Sequence, residues 1–308
     1  MKVIFMGTPD FALYSLKALV ASGKHEVIAV VTQPDKPGNR GAVTVSPVKK
    51  YATERGIPVH QFEKISRQGD DILSAYNADI FVTAAYGQIL NQKILDIPKY
   101  GIVNVHASLL PAYRGSSPIQ WALINGEKVT GVTIMQTNIG LDTGDILLQR
   151  SLEIDSDDTC GTLFHKLGEL GAEALLEYLD MLSSGKEITP VRQDEKRASY
   201  FPMLKKADGK IDFNKSAAAV CDLLRGVTPW PGAYFMRGGK TVKLHSAEIA
   251  SDMSGRPGKV LKADKNGLVV ACGGNAIRLK ELQPEGKKRM TYTDFLNGNK
   301  ITVGDIFE

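Results

Sequence analysis

The chain has 308 residues, room for two domains of ordinary size, and its 43% hydrophobic and 23% charged residues are the balance of a water-soluble globule. No apolar run approaches the ~18 residues of a membrane-spanning helix, and the three scattered cysteines, Cys160, Cys221 and Cys272, exclude a disulfide framework and a cysteine metal site. The net charge of +4 is uneven: residues 1–189 hold 17 Lys/Arg against 21 Asp/Glu, residues 190–208 hold 5 against 3, and residues 209–308 hold 16 against 10. Basic charge gathered at one end is the footprint of a polyanion binder, with ordinary surface variation as the plain alternative.

In chain order, residues 3–7 (VIFMG) read as a strand rather than an export or import leader, so a reducing cytoplasm is expected. Residues 9–23 follow as a helix, with Phe11, Leu13, Leu16, Leu19 and Val20 on one stripe and Gly23 past its end. Residues 26–33 form a second strand, apolar on both faces and therefore buried on both. Further strands are expected at 58–60, 78–86, 101–108, 130–137 and 145–150, and a long helix at 157–184. This alternation predicts an α/β domain with a doubly wound, mostly parallel, Rossmann-like sheet. Residues 190–208 have many charges and no sustained apolar period, and read as a linker. One helix at 216–225 comes next, then short runs punctuated by glycine, the pattern of a smaller C-terminal β-barrel of OB-like type over 209–308.

The turn after the first strand, MGTPDFA, sits where a dinucleotide-binding glycine fingerprint would lie, but only Gly7 is present. Thr8 is expected to cap the helix, with Pro9 in its first turn. Without the second and third glycines a nicotinamide enzyme is poorly supported.

The stretch NVHASLLP is more informative. Side chains alternate along a strand, so Asn104 and His106 share a face while Val103 and Val105 take the other. An amide donor beside an imidazole suits a developing oxyanion and proton exchange near neutral pH. The alternative is a buried pair satisfied by backbone. Downstream, NIGLDTGD offers Asp142 between glycines, either as a plain turn or as a carboxylate able to orient that histidine. Together, and with no metal-type cluster or GxSxG elbow, Asn104, His106 and Asp142 suit transfer of an acyl or formyl group to an amine.

At these residues the sequence resembles the folate-dependent formyltransferases, whose marks are Asn-x-His followed by Ser-Leu-Leu-Pro and a later Asp in a glycine-rich turn. The segments VIFMGTPDFA, TQPDKPGNRG, AAYGQIL, SSPIQWALINGE and TPWPGAYF extend the resemblance over nearly the whole chain. It implies a formyltransferase domain over 1–189 and a tRNA-binding barrel over 209–308. The implied reaction moves a formyl group from 10-formyltetrahydrofolate to the α-amine of methionyl initiator tRNA, and no metal is needed because a formyl group is already a good electrophile. Asn104 and His106 would stabilise the oxyanion and Asp142 would help move the proton. Ser108, Leu109, Leu110 and Pro111 would line the folate site, and Ala85, Tyr86, Gly87, Gln88, Ile89 and Leu90 would wall the pterin pocket. Arg40, in the Pro/Gly-rich insertion after the second strand, would meet the acceptor arm, although Ala42, Val43, Thr44 and Val45 stand where further basic residues belong. Lys287, Lys288 and Arg289 would track phosphates, and a solvated turn is the plain reading of that cluster. Trp230 could stack on a base but is expected in the barrel core. His25, His60, His165 and His245 have no partner pattern. A monomer is expected. The rivals are a formyltransferase acting on a small amine, which needs no basic tail, and a non-catalytic RNA-binding protein, in which His106 has no activity to support.

Overall fold

A computed structural model of the protein describes residues 1–37 and 43–308. The chain divides into two units, the first built from Met1–Pro118, Val129–Glu153 and Phe164–Phe201, the second from Ile119–Lys128, Ile154–Leu163 and Pro202–Glu308.

The first unit is organised by a seven-stranded sheet in the order Ile146–Glu153, Val129–Gln136, Ile102–His106, Ile80–Ala84, Lys2–Gly7, Glu26–Thr32, Val59–Gln61. The central strands are rich in Val, Ile and Phe and are buried on both faces, as a sheet covered by helices requires. Five strands pair in parallel; Val129–Gln136 runs against its neighbours on both sides. The strand order reverses between Lys2–Gly7 and Ile80–Ala84, and ligands of open α/β sheets bind at such a switch point.

Gly7 marks that point for a packing reason. A Cβ there would stand 2.5 Å from the Ala12 Cβ and 2.8 Å from the Ala84 carbonyl oxygen, so strand, helix and neighbouring strand meet where no side chain fits. The helix Asp10–Ser22 starts from Pro9 without a side-chain cap. Thr8, expected to cap it, serves the sheet instead: its hydroxyl accepts the Gln33 N–H at 3.1 Å and donates to the Tyr86 carbonyl at 3.4 Å.

The reversed strand changes how the site is reached. Gln136 pairs with Val103 and Thr133 with His106, so the loop after Val129–Gln136 departs level with the start of the histidine strand. Asp142 must come back along the sheet to approach His106.

Residues 191–201, inside the stretch read as a linker, are tied to the first unit. Val191 and Ile146 exchange backbone hydrogen bonds of 2.8 Å, and Tyr200–Phe201 pairs in parallel with Arg114–Gly115.

The second unit carries an antiparallel sheet in the order Ala233–Arg237, Lys240–Ala250, Ala276–Pro284, Gly267–Ala271, Val260–Asp264, with Met290–Thr291 beside Ala276–Pro284. The strands alone do not form a closed ring, but the C-terminal residues bridge the sheet's two edges: Glu308 and Met236 exchange backbone hydrogen bonds, and the Val260 N–H donates to the Asp305 carbonyl at 2.8 Å. Its core holds Phe213, Phe235, Phe295 and Phe307, with Phe235 and Phe307 stacked at 4.7 Å. Trp230 is not part of that core but 52% exposed. It lies between Pro229 and Pro231, which lack the N–H a sheet position would need, so the turn stays on the surface.

Candidate active site

Alternation along Ile102–His106 does what the sequence suggests: Val103 and Val105 are buried, and Asn104 and His106 share the opposite face. The Thr83 hydroxyl donates to Asn104 Oδ1 at 2.9 Å, which fixes the amide and turns its Nδ2 donors outward. His106 is 6% exposed, with one ring nitrogen hydrogen-bonded and the other facing a carboxylate. Its Nε2 donates to the Tyr113 carbonyl at 3.0 Å, and its Nδ1 faces Asp142 Oδ1 at 3.7 Å. That second distance is too long for a hydrogen bond but leaves the carboxylate facing the ring nitrogen. Asp142 Oδ2 accepts the Gly115 N–H at 2.9 Å. The three polar groups named from the sequence therefore lie on one neighbourhood of the sheet.

Residues 108–111 form a fixed turn beside them. Thr133 Oγ1 donates to the Ser108 carbonyl at 2.6 Å and accepts the Leu110 N–H at 3.1 Å, and Gln149 Nε2 donates to the Leu110 carbonyl at 2.9 Å. Ser108 and Leu110 are buried, the Ser108 hydroxyl donating to the Ala112 carbonyl at 2.7 Å, while Leu109 and Pro111 are half-buried.

Residues 85–90 leave the sheet at the switch point and divide similarly. Tyr86 and Leu90 sit in the core with Ile4, Met6 and Phe81, and burial pushes the Tyr86 phenol well above its ordinary value. Gln88 turns to the Phe62 carbonyl at 2.7 Å and the Ile65 N–H at 2.8 Å. Ala85, Gly87 and Ile89 are exposed, Ile89 to 81%. Ala85 and Gly87 both have positive φ, 45° and 84°, so the loop presents backbone as well as Ile89.

Several residues around Asp142 carry no sequence signal. Arg114 forms a two-pronged ion pair with Glu195, 2.8 and 3.0 Å, and its guanidinium holds the Glu195 carboxyl below the usual range. Gln193 bridges Arg114 to the Asp142 loop. Thr83, Thr133 and Gln149 were likewise missed. Lys287 and Lys288 stand exposed in the turn before Met290–Thr291, whereas Arg289 pairs with Glu281. Arg40 lies outside the described residues. Among the described residues no cluster of three His, Cys, Asp or Glu could hold a metal ion, and no helix is long and apolar enough to cross a membrane.

This mostly parallel α/β fold agrees with the family comparison. A formyl transferase family model matches residues 1–179 and a formyl transferase C-terminal domain model matches residues 203–300. The chain belongs to the formyl transferase family. Among its relatives, methionyl-tRNA formyltransferases from Citrifermentans bemidjiense and Caldanaerobacter subterraneus are each 47% identical, over 99% and 100% of this chain and 96% and 100% of theirs. The fold is shared with a sugar 3N-formyl transferase, WlaRD, with a TM-score of 0.67 at 19% identity over 94% of this chain and 99% of that one. HypX from Aquifex aeolicus, solved with tetrahydrofolic acid, has a TM-score of 0.63 at 16% identity, and this chain spans half its length.

Proposed function

We propose that this protein transfers the formyl group of 10-formyltetrahydrofolate to the α-amine of methionyl initiator tRNA. The observation that carries the reading is the meeting of Asn104, His106 and Asp142, with Asp142 3.7 Å from the imidazole, in a chain that is 47% identical to methionyl-tRNA formyltransferases end to end.

The amine attacks the formyl carbon, the carbonyl oxygen becomes an oxyanion, and the C–N10 bond breaks as the amine proton passes to N10. Asn104 Nδ2, oriented by Thr83, donates to that oxyanion. The imidazole of His106, when protonated, adds positive charge beside it; drawing its Nε2 from the Tyr113 carbonyl would add a hydrogen bond. Asp142 accepts the amine proton and returns it to the departing nitrogen. The Ser108–Pro111 turn and the exposed backbone of residues 85–90, at the switch point of the sheet, hold the folate. Lys287 and Lys288 contribute non-specific phosphate contacts, and Arg40 is assigned to the acceptor arm. The reading places the protein in the cytoplasm, as a monomer.

The deciding experiment offers the purified protein 10-formyltetrahydrofolate together with charged initiator tRNA, glycinamide ribonucleotide or a nucleotide-linked amino sugar in parallel. Formyl-methionyl-tRNA should form at least ~100-fold faster than any small-molecule product. Turnover of a small amine with none of the tRNA would overturn the reading.

A further inference from the structure

We propose that Gln193, braced by Arg114 and Glu195, is a positioning residue that sets the Asp142 carboxylate against His106, a role that rests on the formyl-transfer reading. Asp142 has φ of 54°, a left-handed conformation that a residue with a side chain adopts at a cost of about 1 kcal/mol and keeps only when its surroundings impose it. Two residues, Gly115 and Gln193, impose it. In front, the Gly115 N–H donates to Asp142 Oδ2 at 2.9 Å. Behind, Gln193 Nε2 donates to the Asp142 carbonyl at 2.9 Å and to the Gly144 carbonyl at 2.6 Å.

Gln193 is itself fixed. It is 4% exposed, and its Oε1 accepts from Arg114 Nε at 3.0 Å and Nη2 at 2.8 Å. All four hydrogen-bonding capacities of its amide are used. Arg114 is fixed in turn by its two-pronged pair with Glu195. The dipeptide Arg114-Gly115 thus grips Asp142 twice, directly through the Gly115 amide and indirectly through the guanidinium and Gln193. It continues the loop that carries the Tyr113 carbonyl, the partner of His106 Nε2. One short segment therefore registers both the imidazole and the carboxylate, and the closing link comes from residues 193–195.

Gln193→Glu tests this. It keeps the shape of the side chain and an acceptor for Arg114, but it removes both donors and sets oxygen against the two carbonyls. Glu195→Gln is the milder companion, because that residue is solvent-exposed and its loss leaves the core untouched. For each variant, kcat, both KM values, the pH profile of kcat/KM, the melting temperature and amide exchange at residues 138–145 are measured beside wild type and Asp142→Asn. Gln193→Glu should lower kcat ~10–100-fold with little change in either KM, as expected when a reacting group moves by about 1 Å. Its pH profile should move in the same direction as that of Asp142→Asn, and exchange in the loop should accelerate while the central sheet stays protected. Glu195→Gln should move each readout the same way by a smaller factor. A lower melting temperature with unchanged kcat, pH profile and loop exchange in both variants overturns the proposal. A wild-type protein that transfers no formyl group overturns the functional reading instead, and loop exchange then decides the brace: unchanged exchange in Gln193→Glu overturns it.

Discussion

Truncation of any one of Asn104, His106 and Asp142 should lower the rate, because each supplies a polar group to the proposed reaction. Asn104→Ala removes the oriented donor and should lower kcat ~10²–10³-fold; His106→Ala and Asp142→Asn should each lower it ~10²–10⁴-fold. Single-turnover transfer at saturating tRNA measures this, and a rate within a few-fold of wild type for all three would sink the mechanism. Tyr86 makes the contrasting case. Its hydroxyl is buried with no hydrogen-bond partner among the described residues, so Tyr86→Phe should stabilise the fold by about 1 kcal/mol, read from denaturant unfolding. Asn104 and His106 were legible because strand alternation is a local rule. Asp142 was legible because Asp between glycines is a local signal. The Arg114–Gln193 link was not: it spans 79 residues, and a hydrogen bond across that separation leaves no periodic trace in the chain.

Among elements, the loop carrying Asp142 depends on glycine more than on any other residue type. A Cβ on Gly144 would overlap the Gln136 carbonyl oxygen, so Gly144→Ala must displace the hairpin base. Formyl transfer should fall at least ~100-fold, the cost of misplacing a reacting group by about an ångström, while the far edge of the sheet keeps its hydrogen-exchange protection. Retention of wild-type activity would show that the hairpin base tolerates the shift. The doubly wound sheet could be read from apolar runs alternating with amphipathic helices, because a buried parallel strand has to be apolar on both faces. The direction of Val129–Gln136 could not, since an apolar run reads the same both ways. The surface position of Trp230 was also hidden: hydrophobicity argued for the core, and the flanking prolines that keep it out act through missing backbone donors.

For the whole molecule, base should destabilise before acid chemistry explains anything. Burial pushes the thiols of Cys160 and Cys221 up to about 11 and that of Cys272 to about 12, against 9.0 for an ordinary thiol. Above pH 9 the unfolded chain gives up these protons while the folded chain keeps them. The unfolded state then binds fewer protons, so stability falls as pH rises from 9 toward 12. Melting temperatures at pH 8 and 10.5 should show the loss, and Cys272→Ala should make the decline shallower; a flat profile across that range contradicts it. The division into an acidic first part and a basic last third was legible in composition, because charge needs no fold to be counted. Which residues of 190–208 belong to the first unit was not, since Val191, Gln193, Glu195 and Tyr200–Phe201 attach one by one to distant partners.

The only two tryptophans, Trp121 and Trp230, both fall in the second unit, the first with its indole N–H on the Pro202 carbonyl at 3.1 Å and the second open to solvent. Indole emission is consequently an optical reporter of one half of the protein. Acrylamide should quench it mainly through Trp230, and a nucleic acid laid over that ring should shield it. Melting confined to the seven-stranded sheet would pass almost dark, visible by circular dichroism alone.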